Sequence, residues 1–357
     1  MKYGFSARQL QAVIAAVGLF TLVFAAKPAL ASTGYLDRPD VLTFISDLQS
    51  EYGFDVTELE RVLGEARHDP RVVRLIGPER PPSAAPPVRS WPRYRAQFLT
   101  RARISAGVQY WQAYEADLRR AEARYGVPAE VILGILGVET AFGRNTGSFR
   151  VIDVLATIAF DGPRRQDYFR GELKELLLMA RESGVDPLVL KSSYAGAMGL
   201  PQFMPSSYRR HAVDFDGDGR IDLARSPADA IASVASYLKA HGWTRNELAR
   251  ARVKLPAGSA AELVSGLQRT HTVAALKKKG VKFSTASLPK GECSVIELPT
   301  PRHASKYLVG FGNFEAVTRY NRSTFYATAV LDLADAIRSA RKTQTAANQR
   351  TRASPAS

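Results

Sequence analysis

The sequence predicts a mainly α-helical protein with a small antiparallel β domain, on two observations. Apolar residues recur at intervals of three and four through most of residues 40–243, which is typical of amphipathic helices. Between residues 250 and 312 the pattern changes to short runs rich in β-branched residues, which favour strands. The length of 357 residues is sufficient for two or three domains with a large core.

The predicted elements follow in order along the chain. Two helices share residues 40–65, a Pro-rich connection covers 77–92, and a long helical pattern covers 94–126. A last helix is expected at 323–340, and the polar, basic residues 342–357 predict a disordered tail. Short strands are predicted at Val253-Lys-Leu255, Val281-Lys-Phe283, Ser294-Val-Ile-Glu-Leu298 and Lys306-Tyr-Leu-Val309.

Residues 1–31 have the features of a secretory signal. Lys2 and Arg8 precede the apolar run 12–26, and Ala29-Leu-Ala31 is a cleavage site of the A-x-A type. An uncleaved anchor is the alternative. We expect a soluble periplasmic protein after cleavage, with no integral membrane segment in the mature chain and a monomeric state. Cys293 is the only cysteine, so no internal disulfide can form.

The charge balance predicts an anionic partner. Lys and Arg total 49 against 34 Asp and Glu, a formal net charge of +15. Removal of residues 1–31 leaves 46 basic against 34 acidic residues, or +12. Such a surplus favours nucleic acid, acidic lipid or an acidic polymer such as cell wall. Because the basic residues are scattered, we do not expect nucleic acid to be the partner.

Glu139 is the carboxylate whose context most needs a chemical explanation. It continues the apolar face of a predicted helix, lying four residues after Ile135 and three after Leu136. Burial and the nearby helix C-terminus both disfavour its charge and raise its pKa, which suits a general acid. The alternative is a Glu whose side chain reaches the surface or pairs with Arg144.

A calcium-type loop is predicted at Asp214-Phe-Asp-Gly-Asp-Gly-Arg-Ile-Asp222. Acids at relative positions 1, 3 and 5 and Gly at position 6 follow the start of an EF-hand loop. Position 12 is Arg225, where a Glu is expected, so either Asp222 or Asp229 would close the site. A simple Asx/Gly turn is the alternative. The predicted ligands of a structural Ca²⁺ are Asp214, Asp216, Asp218, the backbone carbonyl of Arg220, and Asp229.

The segment 192–208 is rich in small residues, which let a backbone approach a ligand closely. Ser193, Tyr194 and Gln202 within it offer hydrogen bonds and a stacking face. Composition alone is equally consistent with a tight turn that leads into a helix.

Five motifs in this order resemble the lytic murein transglycosylase B family. They are Gly137-Val-Glu-Thr140, Pro163-Arg-Arg165 with Tyr168-Phe169, Ala195-Gly-Ala-Met-Gly199 with Gln202-Phe-Met-Pro205, the calcium-type loop, and Thr318-Arg-Tyr-Asn-Arg-Ser-Thr-Phe-Tyr326. The resemblance spans residues 40–340. It implies a lysozyme-like catalytic core, a helical domain built from both chain ends, and a small β domain.

The domain boundaries that we predict combine this resemblance with the sequence pattern. They are a signal at 1–31, an N-terminal helical region at 32–93, the catalytic core at 94–249, the β domain at 250–312, a helical segment that closes the groove at 313–341, and the tail at 342–357.

The resemblance implies an enzyme that cleaves the β-1,4 bond between N-acetylmuramic acid and N-acetylglucosamine without water. Glu139 would be the single acid/base, no catalytic cofactor is expected, and peptidoglycan strands and wall-synthesis proteins would be partners. A hydrolytic muramidase that uses Glu139 and a non-catalytic wall-binding protein are the alternatives. By position, the groove residues would be Tyr94, Arg164, Arg165, Tyr168, Ser193, Tyr194, Gln202, Tyr237, Tyr320, Asn321 and Tyr326.

Overall fold

The computed structural model describes residues 34–77 and 89–353 and is mainly helical, as predicted. The predicted signal at 1–31, most of the Pro-rich connection and residues 354–357 lie outside this part. The helices are α1 Pro39–Tyr52, α2 Val56–Gly64, α3 Pro70–Ile76, α4 Trp91–Ala96, α5 Arg101–Ala113, α6 Glu115–Tyr125, α7 Ala129–Thr140, α8 Val151–Ala156, α9 Gln166–Ser183, α10 Pro205–His211, α11 Pro227–Ala240, α12 Ala260–Leu263, α13 Val273–Lys278, α14 Gly312–Tyr320 and α15 Thr324–Ala353.

The strands of the described residues form two antiparallel sheets. Their bounds are β1 Phe149–Arg150, β2 Lys191–Ser192, β3 Arg250–Lys254, β4 His271–Thr272, β5 Lys282–Phe283, β6 Glu292–Leu298 and β7 Lys306–Gly310. The larger sheet has the order β4-β6-β7-β3-β5, and β1 pairs with β2 alone through Phe149 and Ser192. The four predicted strand segments are β3, β5, β6 and β7, whereas β1, β2 and β4 were not predicted.

Two helical predictions need correction. The long helix expected at 94–126 is three helices, α4 to α6. Thr100 caps the start of α5 by accepting a hydrogen bond from Arg103 N, and Tyr114 leaves helical geometry between α5 and α6. The last helix continues through Lys342 to Ala353, where we expected disorder. Ala-rich residues with few breakers favour that continuation.

The core is organised around α7, which is buried on almost every side. Its two interior glycines allow a close approach to α15. A Cβ atom on Gly134 would lie 2.6 Å from Val330 O, and one on Gly137 would lie 2.7 Å from a methyl carbon of Leu333. This contact holds the C-terminal end of α7 at a fixed distance from the start of α15.

A second apolar cluster joins α1, α2 and α3 to α8 and α9, and a third lies on one face of the larger sheet. Within the described residues, we find no helix with the length and apolarity that a bilayer crossing requires.

Candidate active site

Glu139 lies in the last turn of α7, and the backbone that follows it is unusual. Ala141 and Phe142 both adopt positive φ angles, 50° and 61°, which non-glycine residues rarely do. The buried Thr140 holds this backbone conformation in place. Its hydroxyl donates to Leu200 O at 2.9 Å and accepts from Gly143 N at 3.1 Å. The end of α7 is therefore held against the loop that contains Leu200.

The environment of Glu139 raises its pKa to about 7. Burial is the main cause, because the surrounding protein solvates the charged form poorly. A short hydrogen bond from the hydroxyl of Tyr326 acts in the opposite direction and stabilises the carboxylate. The side chain keeps partial contact with solvent. In the described part of the chain, no second acid contributes to this shift.

Three of the predicted groove tyrosines surround Glu139. Tyr94, Tyr320 and Tyr326 each have a raised pKa, caused first by burial and then by the charge of Glu139. Tyr320 stacks on Tyr326 with ring centroids 6.4 Å apart, and its hydroxyl donates to Pro201 O at 2.5 Å. These rings form an aromatic wall beside the acid.

The wall continues away from Glu139 through Tyr237, whose ring lies 4.8 Å from that of Tyr320. His241 stacks on Tyr237 at 4.0 Å, and His211 packs edge-on against both rings. Burial lowers the pKa of His211 to about 4, so this residue is neutral at physiological pH. Neither histidine was singled out from the sequence, because only the fold brings α10 and α11 together here.

The small-residue segment forms a tight loop before α10. The Ser193 hydroxyl accepts from Ala197 N at 3.2 Å, and Tyr194 stays 43% exposed. Gln202 has a positive φ of 53°, and its amide nitrogen donates to Gly199 O and Thr146 O. Gln202 thus ties the loop to the segment that follows α7.

The remaining predicted residues make their contacts with other parts of the protein. Arg165 packs over Tyr168 at 4.1 Å, and burial with the charge of Glu172 raises the pKa of Tyr168 to about 12. Arg164 donates to Ile76 O at 2.8 Å. Asn321 is exposed, and its carbonyl accepts from Ser323 N. No contact in the described residues links these four side chains to Glu139.

The acidic loop brings three of its predicted ligands together. Carboxylate oxygens of Asp214, Asp216 and Asp229 lie within 4.8 Å of one another. Asp218 is outside this group and accepts from Arg220 N at 2.8 Å. Asp222 is also outside this group, and its Oδ1 accepts from the backbone N–H groups of Ala224 and Arg225.

Among the acids of the described residues, Glu139 is the one whose pKa is raised, and it lies at the end of a buried helix beside an aromatic wall. The sequence profile of the transglycosylase SLT domain matches residues 37–335. The chain is 42% identical over 314 residues to membrane-bound lytic murein transglycosylase B of Escherichia coli, covering 86% of this chain and 85% of that protein. The chain therefore belongs to the transglycosylase SLT domain family.

Solved structures agree with this assignment. Soluble lytic transglycosylase SltB1 from Pseudomonas aeruginosa is 46% identical, with a TM-score of 0.79 over 85% of this chain and 100% of that one. Escherichia coli lytic transglycosylase Slt35, solved in complex with calcium, is 41% identical, with a TM-score of 0.77 over 86% and 95%. The prediction of a lysozyme-like, mainly helical fold with a small antiparallel sheet is confirmed.

Proposed function

We propose that this protein is a peptidoglycan lytic transglycosylase. It cleaves the β-1,4 bond between N-acetylmuramic acid and N-acetylglucosamine without water and leaves a 1,6-anhydromuramoyl end. The observation that carries the proposal is the isolated Glu139, whose raised pKa of about 7 equips one residue to act as acid and then as base.

In the first step, protonated Glu139 donates its proton to the glycosidic oxygen. The C1–O bond breaks and positive charge develops at C1 of the muramoyl sugar. A pKa of about 7 keeps much of the residue protonated near neutral pH while leaving it acidic enough to transfer the proton. The carboxylate that forms is stabilised by the hydroxyl of Tyr326.

In the second step, the carboxylate of Glu139 accepts the proton of the muramoyl 6-hydroxyl as that oxygen bonds to C1. Glu139 is thereby returned to its protonated form, and no water is consumed. A retaining glycosidase would need a second carboxylate about 5–5.5 Å away. Because no second acid perturbs Glu139 in the described residues, we infer that the neighbouring N-acetyl group of the substrate stabilises the cation.

The aromatic wall supports the role that we propose for the groove residues. Tyr94, Tyr237, Tyr320 and Tyr326 offer faces and hydroxyls of the kind that bind sugar rings. We assign substrate contacts to these four, to Ser193, Tyr194 and Gln202 of the loop, and to the outer residues Arg164, Arg165, Tyr168 and Asn321. The domain boundaries given above remain part of the proposal, except that the last helix continues to Ala353.

We further propose that the acidic loop holds a structural Ca²⁺. Asp214, Asp216 and Asp229 fit one ion, because Ca–O distances of 2.3–2.6 Å place ligand oxygens up to about 5 Å apart. Three carboxylates this close repel each other without a cation. Asp229 closes the site in place of Asp222, and Asp218 and the Arg220 carbonyl complete it from the same loop. The ion would join the loop to α11 and would take no part in the reaction.

The proposed substrate places the protein in the periplasm, in agreement with the signal-like residues 1–31. Peptidoglycan strands are its proposed partner, and wall-synthesis proteins are further candidates.

The direct test is mass spectrometry of muropeptides after digestion of sacculi in ¹⁸O-labelled water. We expect anhydro ends that contain no label. Reducing muramic ends that carry ¹⁸O would identify a hydrolytic muramidase, and the absence of any product would identify a wall-binding protein.

A further inference from the structure

A second cleft lies between the larger sheet and helices α4 and α15. Its volume is about 1260 Å³, which exceeds the roughly 300–1,000 Å³ of a site for one small molecule. Strands β3 and β7 form one side, and Trp91, Arg95, Asp332 and Asp335 line the other. This cleft has no part in the proposed reaction.

The acids of the cleft already have partners. Asp332 pairs with Arg95 and Arg250 at 2.7 Å each, and Asp335 pairs with Arg250 at 3.1 Å. The remaining basic side chains that line it, those of Arg252, Lys254 and Lys306, have no acid partner among the described residues. The cleft therefore carries an uncompensated positive charge on its sheet side.

The strand register concentrates that charge. Lys254 pairs directly with Lys282 of β5, and the pairing of Val253 with Tyr307 places Lys306 opposite Lys254 on β7. Directly opposed residues of antiparallel strands share one face of the sheet. Lys282, Lys254 and Lys306 thus form an exposed row across three adjacent strands, which we call the lysine row. Like charges in such a row repel and do not stabilise the sheet.

The cleft adjoins the active site. Trp91 lines the cleft and stacks on Tyr94, with ring centroids 6.3 Å apart. After burial, the charge of Glu139 is a further cause of the raised pKa of Tyr94. On α15, Tyr326 bonds to Glu139, while Thr328 and Asp332 line the cleft. The cleft and the active site are therefore linked through residues of α4 and α15.

We propose that the lysine row and Arg252 form a second binding surface for the carboxylates of peptidoglycan peptide stems, on strands next to the one being cut. The inference rests on the proposed function, which places peptidoglycan at Glu139. Stems carry carboxylates at repeated intervals, and their charge complements that of the row. Lys254 and Lys306 line the cleft, and its concave shape favours a chain-like partner over a flat bilayer, which could not enter it.

The test compares two triple variants of the mature chain. K254A/K282A/K306A removes the lysine row, and K277A/K278A/K290A removes three exposed lysines of the same segment outside the row. Both lose the same charge. At low salt, we expect the first to bind sacculi about tenfold more weakly, as three exposed ion pairs of about 0.5 kcal/mol each predict, and the second to bind nearly like wild type. Melting temperatures serve as the folding control.

A second comparison uses sacculi whose carboxylates have been amidated with carbodiimide and ammonia. Wild type should bind amidated sacculi no more tightly than K254A/K282A/K306A binds untreated sacculi. Equal losses in both triple variants, or wild-type binding unaffected by amidation, would overturn the proposal. So would a row variant that loses binding to phosphatidylglycerol vesicles or to a DNA duplex but keeps binding to sacculi. Turnover of a stem-free glycan oligomer by wild type tests the proposed function separately.

Discussion

Glu139 and Asp229 are both largely enclosed carboxyl groups at helix ends, yet their surroundings fit them for opposite tasks. Glu139 is in the last turn of α7, where the helix dipole disfavours negative charge, and one tyrosine hydroxyl is its donor. Asp229 is in the first turn of α11, is 1% exposed, and accepts from the backbone N–H groups of Phe215 and Asp222. The first environment favours a carboxyl group that can hold a proton, and the second orients the Asp229 side chain beside Asp214 and Asp216, where the proposed cation would bind.

The largest effect should come from removing the proton of Glu139. Glu139→Gln preserves shape, so we expect lysis of sacculi to fall by at least about a thousandfold, within the roughly 10²–10⁴ that a general acid contributes. Glu130→Gln is the matched control, because Glu130 lies at the other end of α7 and pairs with Arg338. Residual lysis near the wild-type rate in Glu139→Gln would mean that another residue supplies the proton.

The same substitution should stabilise the fold at neutral pH. The folded-state pKa of Glu139 is about 7, above its usual 4.5, so the native protein retains a proton that the unfolded chain releases. Wild type therefore loses stability as pH rises from about 4.5 to 7, by about 3 kcal/mol in all. In urea unfolding, Glu139→Gln should match wild type near pH 4 and exceed it at pH 8. If Glu139→Gln were more stable than wild type by the same amount at every pH, the description of Glu139 as a buried acid would be wrong.

For the site of Asp229, calcium at a hundredfold excess over its Kd should stabilise the native state by about 2.7 kcal/mol. This stabilisation should raise the melting temperature by several degrees. Asp216→Ala should abolish that increment. Asp167→Ala, at a side chain 99% exposed and outside the loop, should retain it. A wild-type melting curve unchanged by chelator would reduce the loop to a simple turn.

A smaller effect should follow from Tyr326→Phe. Loss of the hydroxyl removes the hydrogen bond that stabilises the Glu139 carboxylate, so the pKa of Glu139 should rise by about one unit. Because the reaction begins from the protonated acid, the alkaline limb of the pH–rate profile should move to higher pH by the same amount. A limb that stays in place, or moves to lower pH, would show that the hydroxyl does not act on Glu139.

The sequence predicted those features that depend on residues close together in the chain. The apolar spacing around Ile135 indicated both α7 and the enclosure of Glu139, and the Asp/Gly spacing indicated the acidic loop. It could not show that Tyr326, 187 residues away, bonds to the acid. Likewise, the proposed choice of Asp229 over Asp222 depends on the folded loop, which brings a carboxylate oxygen of Asp229 close to those of Asp214 and Asp216. The lysine row depends on strand register, which spacing within a single strand does not reveal.

The pKa of Glu139 in the folded protein tests the account most directly. It can be measured by ¹³C NMR titration of glutamate side-chain carboxyl carbons, with Glu139→Gln used to assign the signal. The account predicts a midpoint near 7. A midpoint near the usual 4.5 would show that the end of α7 does not hold a protonated carboxyl group at neutral pH, and the acid/base role of Glu139 proposed here would be wrong.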